Sequence, residues 1–147
     1  MSDKPRLIFA ADHAGYEMKD HLFAWAKGRG YHVHDVGTFS EDRVDYPDFA
    51  HKGAGEIIKG HADLGIFVCG SGAGMAISAN KTKGIRAADC WTPEIAKLTR
   101  EHNNANVLCL PARFVSNAEA EAMAEAFLTA EFAGGRHAMR VDKIEEC

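Results

Sequence analysis

Apolar runs alternate with amphipathic stretches along most of the chain. The runs at 7–11 and 64–69 are almost continuously apolar, a pattern typical of parallel strands that are buried on both faces. Shorter runs predict three further strands, at 31–36, 85–88 and 107–110. Five strands are therefore expected along the chain.

Helices are predicted between these strands, where apolar residues recur at helical spacing. They are expected over 16–29, from about 48 to 59, over 75–79, from Thr92 onward, and from Asn117 to near 134–135. Thr92 is the expected N-cap of the fourth helix, with Pro93 as its first residue, and Asn117 is the expected cap of the fifth. The segment 37–47 is predicted to be a polar loop.

Strand and helix alternate five times with short connections, which predicts a parallel sheet with helices on both faces. The sequence contains no internal repeat, linker or low-complexity tract, so residues 1–147 are expected to form one α/β domain, a Rossmann-like three-layer sandwich. The segment 136–147 is a predicted helical tail with few apolar residues, too short to fold alone. We expect it to pack on the domain or on a neighbouring subunit.

The composition is that of an ordinary soluble domain. The chain has 147 residues, of which 46% are hydrophobic and 26% are charged, and its formal net charge is −4. These values exclude a disordered chain, and the negative charge argues against a protein that coats nucleic acid. The four cysteines form no Cys-x-x-Cys pair, so no metal site is predicted. No apolar run approaches the roughly 20 residues of a membrane span, and no signal peptide is visible, so we expect a cytoplasmic protein.

Residues with chemical potential follow the predicted strands, at the edge where parallel sheets bind their ligands. They are Asp12 and His13 after the first strand, Cys69 and the glycine cluster 70–74 after the third, Asp89 and Cys90 after the fourth, and Arg113 beyond the fifth. An acid, an imidazole, a thiol and a guanidinium are thus expected along one edge of the sheet.

The glycine cluster 70–74 is the most informative of these segments. Its backbone N–H groups can approach an anion closely at the start of a helix. It is not a Walker loop, and it lacks the third glycine of the dinucleotide fingerprint. Asp89 nevertheless lies nineteen residues after Gly70, where a ribose-binding acid would lie, so a non-catalytic nucleotide-binding module stays open as an alternative. A tight turn without a ligand is the third interpretation.

Cys69 differs from the other cysteines because it directly precedes a helix start, where the pKa of a thiol can fall. Cys90 and Cys109 are expected to be small core residues. His102 taken alone is more typical of a surface histidine. Arg136 and Arg140 are four residues apart and share one helical face. Two interpretations are about equally good: the pair binds a phosphate dianion, or the tail is basic and simply exposed to solvent.

The joint order of several motifs resembles one family. The motifs are Asp12-His13, Asp45-Tyr46-Pro47, Cys69 to Gly74, Asn80-Lys81, Gly84 to Ala87, His102-Asn103, Asn106 to Leu108, and Gly134 to His137. In this combination the chain is similar, from about residue 7 to residue 141, to the type B ribose-5-phosphate isomerases and to the related galactose- and allose-6-phosphate isomerases. The resemblance implies an aldose–ketose isomerase that acts through a cis-enediolate and needs neither a metal nor an organic cofactor.

The resemblance also implies roles for individual residues. Cys69 matches the base that moves a proton between C1 and C2, and Ser71 matches a hydroxyl that handles protons on O1 and O2. The N–H groups of Gly70, Ser71, Gly72, Ala73 and Gly74 match an oxyanion site. Asp12 and His102 match the residues that open the furanose ring.

The substrate-binding residues implied by the resemblance extend beyond the glycine cluster. His13, Arg113, Arg136 and Arg140 match phosphate-side positions, whereas Asn103 and Tyr46 match sugar-side positions. The tail arginines are expected to reach the site of a neighbouring subunit, so the resemblance implies a homodimer or a dimer of dimers. Met75 stands where some relatives have a glutamate base, so Cys69 is the base expected here. Ribose 5-phosphate is the expected substrate, with a six- or four-carbon sugar phosphate as the alternative.

Overall fold

The computed structural model describes residues 4–146. Its strands are β1 (Leu7–Ala11), β2 (Val33–Asp35), β3 (Leu64–Cys69), β4 (Ala87–Asp89) and β5 (Val107–Pro111). Its helices are α1 (Tyr16–Gly28), α2 (Tyr46–Ile58), α3 (Ala73–Ala79), α4 (Pro93–Asn103), α5 (Asn117–Thr129) and α6 (Arg136–Ile144). None of these helices is long and apolar enough to cross a membrane.

The five strands form one parallel sheet in the order β2-β1-β3-β5-β4. The chain passes outward from β1 to β2 and then returns to place β3 on the other side of β1. Ligands of open α/β sheets bind where the strand order reverses in this way. The carboxyl ends of β1 and β3, which precede Asp12 and end with Cys69, therefore flank the expected binding crevice.

Alternate residues of the strands face two apolar cores, one on each side of the sheet. Phe9, Ile66 and Leu108 contribute to the core that also contains buried residues of α1, α4 and α5. Phe67 and Cys69 face the opposite core, which is covered by α2 and α3. The three-layer α/β sandwich expected from the sequence is thus confirmed, and Cys69 belongs to the α2–α3 side.

Several helix boundaries differ from the prediction. Thr92 caps α4 as expected, because its side chain accepts the N–H of Ile95 at 3.2 Å. Asn117 was the wrong cap for α5. Ser116 is the N-cap, and it forms a capping box in which its hydroxyl accepts the N–H of Glu119 while the Glu119 carboxylate accepts the N–H of Ser116.

The end of α5 and the start of α2 also differ from the prediction. The fifth helix ends at Thr129 rather than near 134–135, and an extended connection leads from it to α6. The second helix begins at Tyr46 rather than near residue 48, since Pro47 suits the first turn of a helix. As a result, Tyr46 lies on the first turn of α2 instead of in the preceding loop.

The tail forms a helix, as expected, and α6 packs on α4. Val141 is buried in this contact, whereas Met139 and Ile144 are at least half exposed. Arg86 ties the end of α6 to the edge of the sheet, because its Nη1 lies 2.6 Å from Glu145 Oε2. The tail is therefore docked on its own domain but leaves apolar side chains uncovered.

Candidate active site

A cleft of about 430 Å³ opens at the carboxyl ends of the central strands. The residues that line it, which we call the cleft cluster, are Asp12, Tyr46, Cys69, Gly70, Ser71, Gly74, Arg113 and Phe114. They come from the ends of β1, β3 and β5 and from the first turns of α2 and α3. The strand reversal at β1 and β3 brings these segments together.

Cys69 ends β3, and its side chain is almost fully buried at the base of this cleft. Burial raises the pKa of the Cys69 thiol, and the nearby carboxylate of Asp12 raises it further. The backbone N–H groups of Met75, Gly72 and Ser71 interact with the sulfur and partly offset this rise. The net direction is upward, so the low thiol pKa suggested by the helix start is wrong, because desolvation outweighs the N–H groups.

The glycine cluster turns sharply between β3 and α3. Gly72 is the N-cap of α3 and has a left-handed conformation with φ of +78°. A Cβ at this position would overlap Oδ1 of Asp89, so both the backbone conformation and the space require glycine. Ser71 is exposed beside this turn, and its hydroxyl accepts the N–H of Ala73 at 3.3 Å.

Two other glycines of the cluster make room for side chains of the cleft. A Cβ on Gly74 would lie 2.6 Å from Cε1 of Tyr46, so the phenol ring packs directly on the backbone. A Cβ on Gly70 would lie 3.1 Å from Nη1 of Arg113. The absence of side chains at these positions lets an aromatic ring and a guanidinium approach the loop.

Asp12 and His13 follow β1 but have different surroundings. Asp12 is buried, and its Oδ1 accepts the N–H of Gly15 at 3.0 Å. His13 is half-buried and does not line the cleft; its Nδ1 accepts the N–H of Val44 at 3.2 Å. Because Nδ1 is the acceptor, the neutral imidazole carries its proton on Nε2, which is then available as a donor.

A second group of predicted site residues lies on α4 and α6, and we call it the tail cluster. It consists of His102, Asn103, Arg136, His137 and Arg140. The rings of His102 and His137 stack with centroids 4.3 Å apart and planes 8° apart. Desolvation and the neighbouring positive charges of His102, Arg136 and Arg140 lower the pKa of His137. Within residues 4–146, neither arginine of this cluster forms an ion pair.

The two clusters are separate in this chain. No residue of the tail cluster lines the cleft; Asn103 instead lines a different cavity together with Arg86 and Ile144. Helix α4 covers the core opposite to the one that Cys69 faces, and α6 packs on α4. The fold therefore assembles one half of the predicted site around Cys69 and the other half around His102.

The sequence interpretation missed Phe114, although it directly follows Arg113 and lines the cleft. Its position just beyond the last strand of the sheet was the available signal. Asp89 was considered as a ribose-binding acid, but its carboxyl group is directed at Gly72, and its Oδ1 accepts no hydrogen bond from residues 4–146. In the same residues, no cluster of three His, Cys, Asp or Glu side chains is arranged to hold a metal ion.

Comparison with known proteins places this arrangement in a family. The sequence model described as Ribose/Galactose Isomerase matches residues 7–144, which is nearly the whole chain. The chain belongs to the Ribose/Galactose Isomerase family. Within that family it is 42% identical over 139 residues to the ribose-5-phosphate isomerase B of Escherichia coli, covering 95% of this chain and 93% of that protein.

Solved structures of the Ribose/Galactose Isomerase family agree with the fold. A ribose 5-phosphate isomerase from Thermotoga maritima has a TM-score of 0.95 and 45% identity, covering 97% of this chain and 99% of the other. The ribose-5-phosphate isomerase B of Mycoplasma genitalium, solved with bound ribulose 5-phosphate, has a TM-score of 0.92 and 41% identity, covering 96% and 94%. The likeness extends over the full length of all these chains.

Proposed function

We propose that this protein interconverts ribose 5-phosphate and ribulose 5-phosphate through a cis-enediolate, with Cys69 as the base. The main support is the composition of the cleft. The buried Cys69 thiol, with backbone N–H groups near its sulfur, shares the cleft with the Ser71 hydroxyl and the Arg113 guanidinium. Relatives that cover nearly the whole chain are named ribose-5-phosphate isomerase B, which supports this substrate.

The reaction requires a proton to leave C2 of the aldose and to return at C1. The Cys69 thiolate removes the C2 proton, which gives the enediolate, and the resulting thiol delivers a proton to C1. Ser71 relays the proton between O1 and O2, while the N–H groups of the glycine cluster stabilise the negative oxygen. A raised pKa makes the thiolate a stronger base but lowers its population at neutral pH, so the reactive form increases as pH rises.

The remaining steps need groups of both clusters, and those of the tail cluster do not line the cleft of one chain. Ring opening requires an acid and a base, for which we propose His102 and Asp12. Because His102 stacks on His137 of α6, we propose that it arrives with the whole tail cluster from a second copy of the chain. The exposed side chains of Met139 and Ile144 on α6 support such packing, since they are uncovered in the single chain.

The substrate phosphate requires positive charges and hydrogen-bond donors. We propose that Arg113 and His13 bind it from one copy, and that Arg136 and Arg140 bind it from the other. The free Nε2–H of His13 supplies a neutral donor. Asn103 would then reach the sugar from the second copy, and Tyr46 would contact it from the first.

The direct test is a ketose-formation assay with purified protein and a panel of four-, five- and six-carbon aldose phosphates. We expect ribose 5-phosphate to be converted with the highest kcat/KM, and EDTA to leave the rate unchanged. Preference for a six- or four-carbon substrate would correct the assignment of substrate. Loss of activity with EDTA, restored by a divalent ion, would contradict the cofactor-free reaction.

The shared site can be tested by mixing two variants that are both nearly inactive at a ribose 5-phosphate concentration near the wild-type KM. One carries Cys69→Ala, and the other carries both Arg136→Ala and Arg140→Ala. In a mixed dimer, one of the two sites combines an intact thiol with an intact tail, so a fully exchanged 1:1 mixture should recover about a quarter of the wild-type activity. Subunit exchange is verified by native mass spectrometry. Exchange without recovered activity would show that each chain supplies its own arginines.

A further inference from the structure

Phe114 is an aromatic residue of the cleft with no role in the proton transfers. It follows Arg113 in the turn after β5, where its backbone N–H donates to the carbonyl of Pro111 at 2.9 Å. Its side chain lines the cleft and is 60% exposed in the single chain. An exposed phenyl ring at the mouth of a polar cleft calls for an explanation, since its apolar surface is costly to leave in water.

The indole ring of Trp91 packs against the ring of Phe114. The two aromatic rings have centroids 4.9 Å apart and planes inclined by 31°, a tilted stacking geometry. Trp91 directly follows Cys90 after β4, so the pair joins the ends of two neighbouring strands, β4 and β5. Phe114 is therefore supported by a second ring and is not a freely rotating surface side chain.

Asp89 connects this aromatic pair to the glycine cluster. Its carboxyl group lies against Gly72, and the side chain of Trp91, whose only donor is the indole N–H, interacts with the same group. Burial raises the pKa of Asp89, and the interaction with Trp91 opposes that rise. The Asp89 carboxyl group thus lies between the glycine cluster and Trp91, the residue on which the Phe114 ring packs.

From these contacts we propose that the Trp91–Phe114 pair, anchored by Asp89, forms an aromatic wall that packs against the carbon chain of the substrate and restricts its length. This inference rests on the proposed isomerase function. Cys69 is buried, the Arg113 guanidinium lies over Gly70, and the exposed Phe114 ring follows Arg113 in the same cleft, so a sugar phosphate that contacts both the thiol and the guanidinium has its carbon chain beside the ring. A substrate with a longer carbon chain that contacts the same thiol and guanidinium has to bend outward. The ring of Phe114, which packs on Trp91, occupies the space into which that carbon chain would bend.

The first experiment compares five- and six-carbon aldose phosphates in Phe114→Ala and Phe114→Leu. For ribose 5-phosphate we expect KM to rise about three- to tenfold in Phe114→Ala with kcat nearly unchanged, because an aromatic contact contributes equally to ground state and transition state. For a six-carbon substrate kcat/KM should stay constant or rise, so selectivity falls. Ile58→Ala is the control, because Ile58 is also half exposed and apolar but does not line the cleft.

Asp89 and Trp91 act through Phe114, so their variants provide a second readout. Trp91→Phe keeps a ring but removes the N–H that faces Asp89, and we expect a smaller loss of the same selectivity. Trp91→Ala should approach the effect of Phe114→Ala. A fall in kcat alone, with KM and selectivity unchanged, would overturn the proposed positioning role.

A binding measurement separates this inference from the proposed reaction. In a Cys69→Ala, Trp25→Phe background, Trp91 is the remaining tryptophan, and turnover is expected to be strongly reduced. We expect ribose 5-phosphate to change the Trp91 emission saturably. If calorimetry shows that ribose 5-phosphate binds but the emission of Trp91 does not change, the proposed aromatic wall is wrong, whatever the activity of the wild type. Dissociation of the oligomer in Phe114→Ala, with equal loss on five- and six-carbon substrates, would also overturn it and assign the pair to an interface between copies.

Discussion

In the cleft cluster the reactive side chains lie at strand ends and beside a crowded loop, whereas in the tail cluster they lie on two helices, with His102 stacked on His137 and the two arginines exposed. Cys69 is almost fully buried, and the glycines beside it have no room for a Cβ. A Cβ on Gly134, which precedes α6, would contact nothing within 4 Å. The contrast supports the proposal that the fold of one chain forms the cleft cluster, whereas the tail cluster acts at the site of a second copy.

The comparison also separates the chemistry of the two clusters. In the cleft cluster, burial makes a thiol harder to ionise, which yields a stronger base once the proton has left. In the tail cluster, desolvation and, after it, the neighbouring positive groups lower the pKa of His137. The first environment agrees with the proposed proton transfer and the second with the proposed phosphate binding, because a phosphate would relieve the repulsion among the positive groups.

The largest effect is expected at the thiol. Cys69→Ala should lower kcat by about 10²–10⁴-fold, since it removes the base but only a small side chain. Exchange of the C2 proton with deuterated solvent should fall with it, while binding of ribose 5-phosphate persists by calorimetry. In the wild type, kcat/KM should rise with pH above neutrality as the thiolate forms, and this rise should be absent in Cys69→Ala. Exchange at the wild-type rate would identify another base.

The arginines of the tail cluster should affect binding instead. Arg136→Ala and Arg140→Ala should each raise KM for ribose 5-phosphate, by about ten- to a hundredfold, because a charge-assisted hydrogen bond contributes roughly 1.5–3 kcal/mol. The conversion of Lys143 to Ala on the same helix is the control, since Lys143 is exposed and has no assigned role. An unchanged KM in both arginine variants would place the phosphate elsewhere.

The crowding of the cleft cluster can be measured with a matched pair of glycine substitutions. Gly72→Ala and Gly134→Ala both place a side chain at positive φ, +78° and +66°, so they share a conformational cost of about 1–2 kcal/mol. Gly72→Ala also forces a methyl group onto Asp89 Oδ1, which should add about 1–3 kcal/mol of destabilisation. Urea denaturation measures the difference. Equal losses of unfolding free energy would show that the loop yields easily.

The smallest effect is expected from acid. Because the pKa of His137 is lowered in the folded chain, the unfolded chain binds more protons, and the stability contributed by neutral His137 is lost as pH falls below its ordinary value of 6.5. The midpoint of urea denaturation should fall slightly more steeply between pH 7 and 5 in the wild type than in His137→Gln. Identical pH dependence in the two proteins would contradict the lowered pKa.

The bounds of strands and helices were predicted correctly where a local sequence pattern is compatible with only one structure. Continuous apolar runs fixed the bounds of β1 and β3, and Thr92 before Pro93 fixed the start of α4. The prediction of Asn117 as the cap is one residue too late: Ser116 is an equally good capping residue, and its reciprocal bonds with Glu119 place the start of α5 there. The end of α5 was misplaced because Gly134 resembles a helix stop, although it precedes the next helix.

The site was less accessible to sequence reasoning because it depends on sheet order and burial. The expected edge residues Asp12, Cys69 and Arg113 do meet, since parallel strands end at a common edge. The packing of His102 on His137 could not be deduced, because it requires α6 to fold back onto α4. The direction of the Cys69 pKa also depended on burial, which the sequence around a helix start does not reveal.

The strand order has a consequence for the chain as it is synthesised. In the sheet, β5 lies between β3 and β4, so neither of those earlier strands has its β5 partner until residues 107–111 have emerged from the ribosome. A nascent chain of about 100 residues therefore exposes one side of the apolar strand β3, which is the kind of open edge that promotes aggregation. The sheet closes only when β5 has been synthesised.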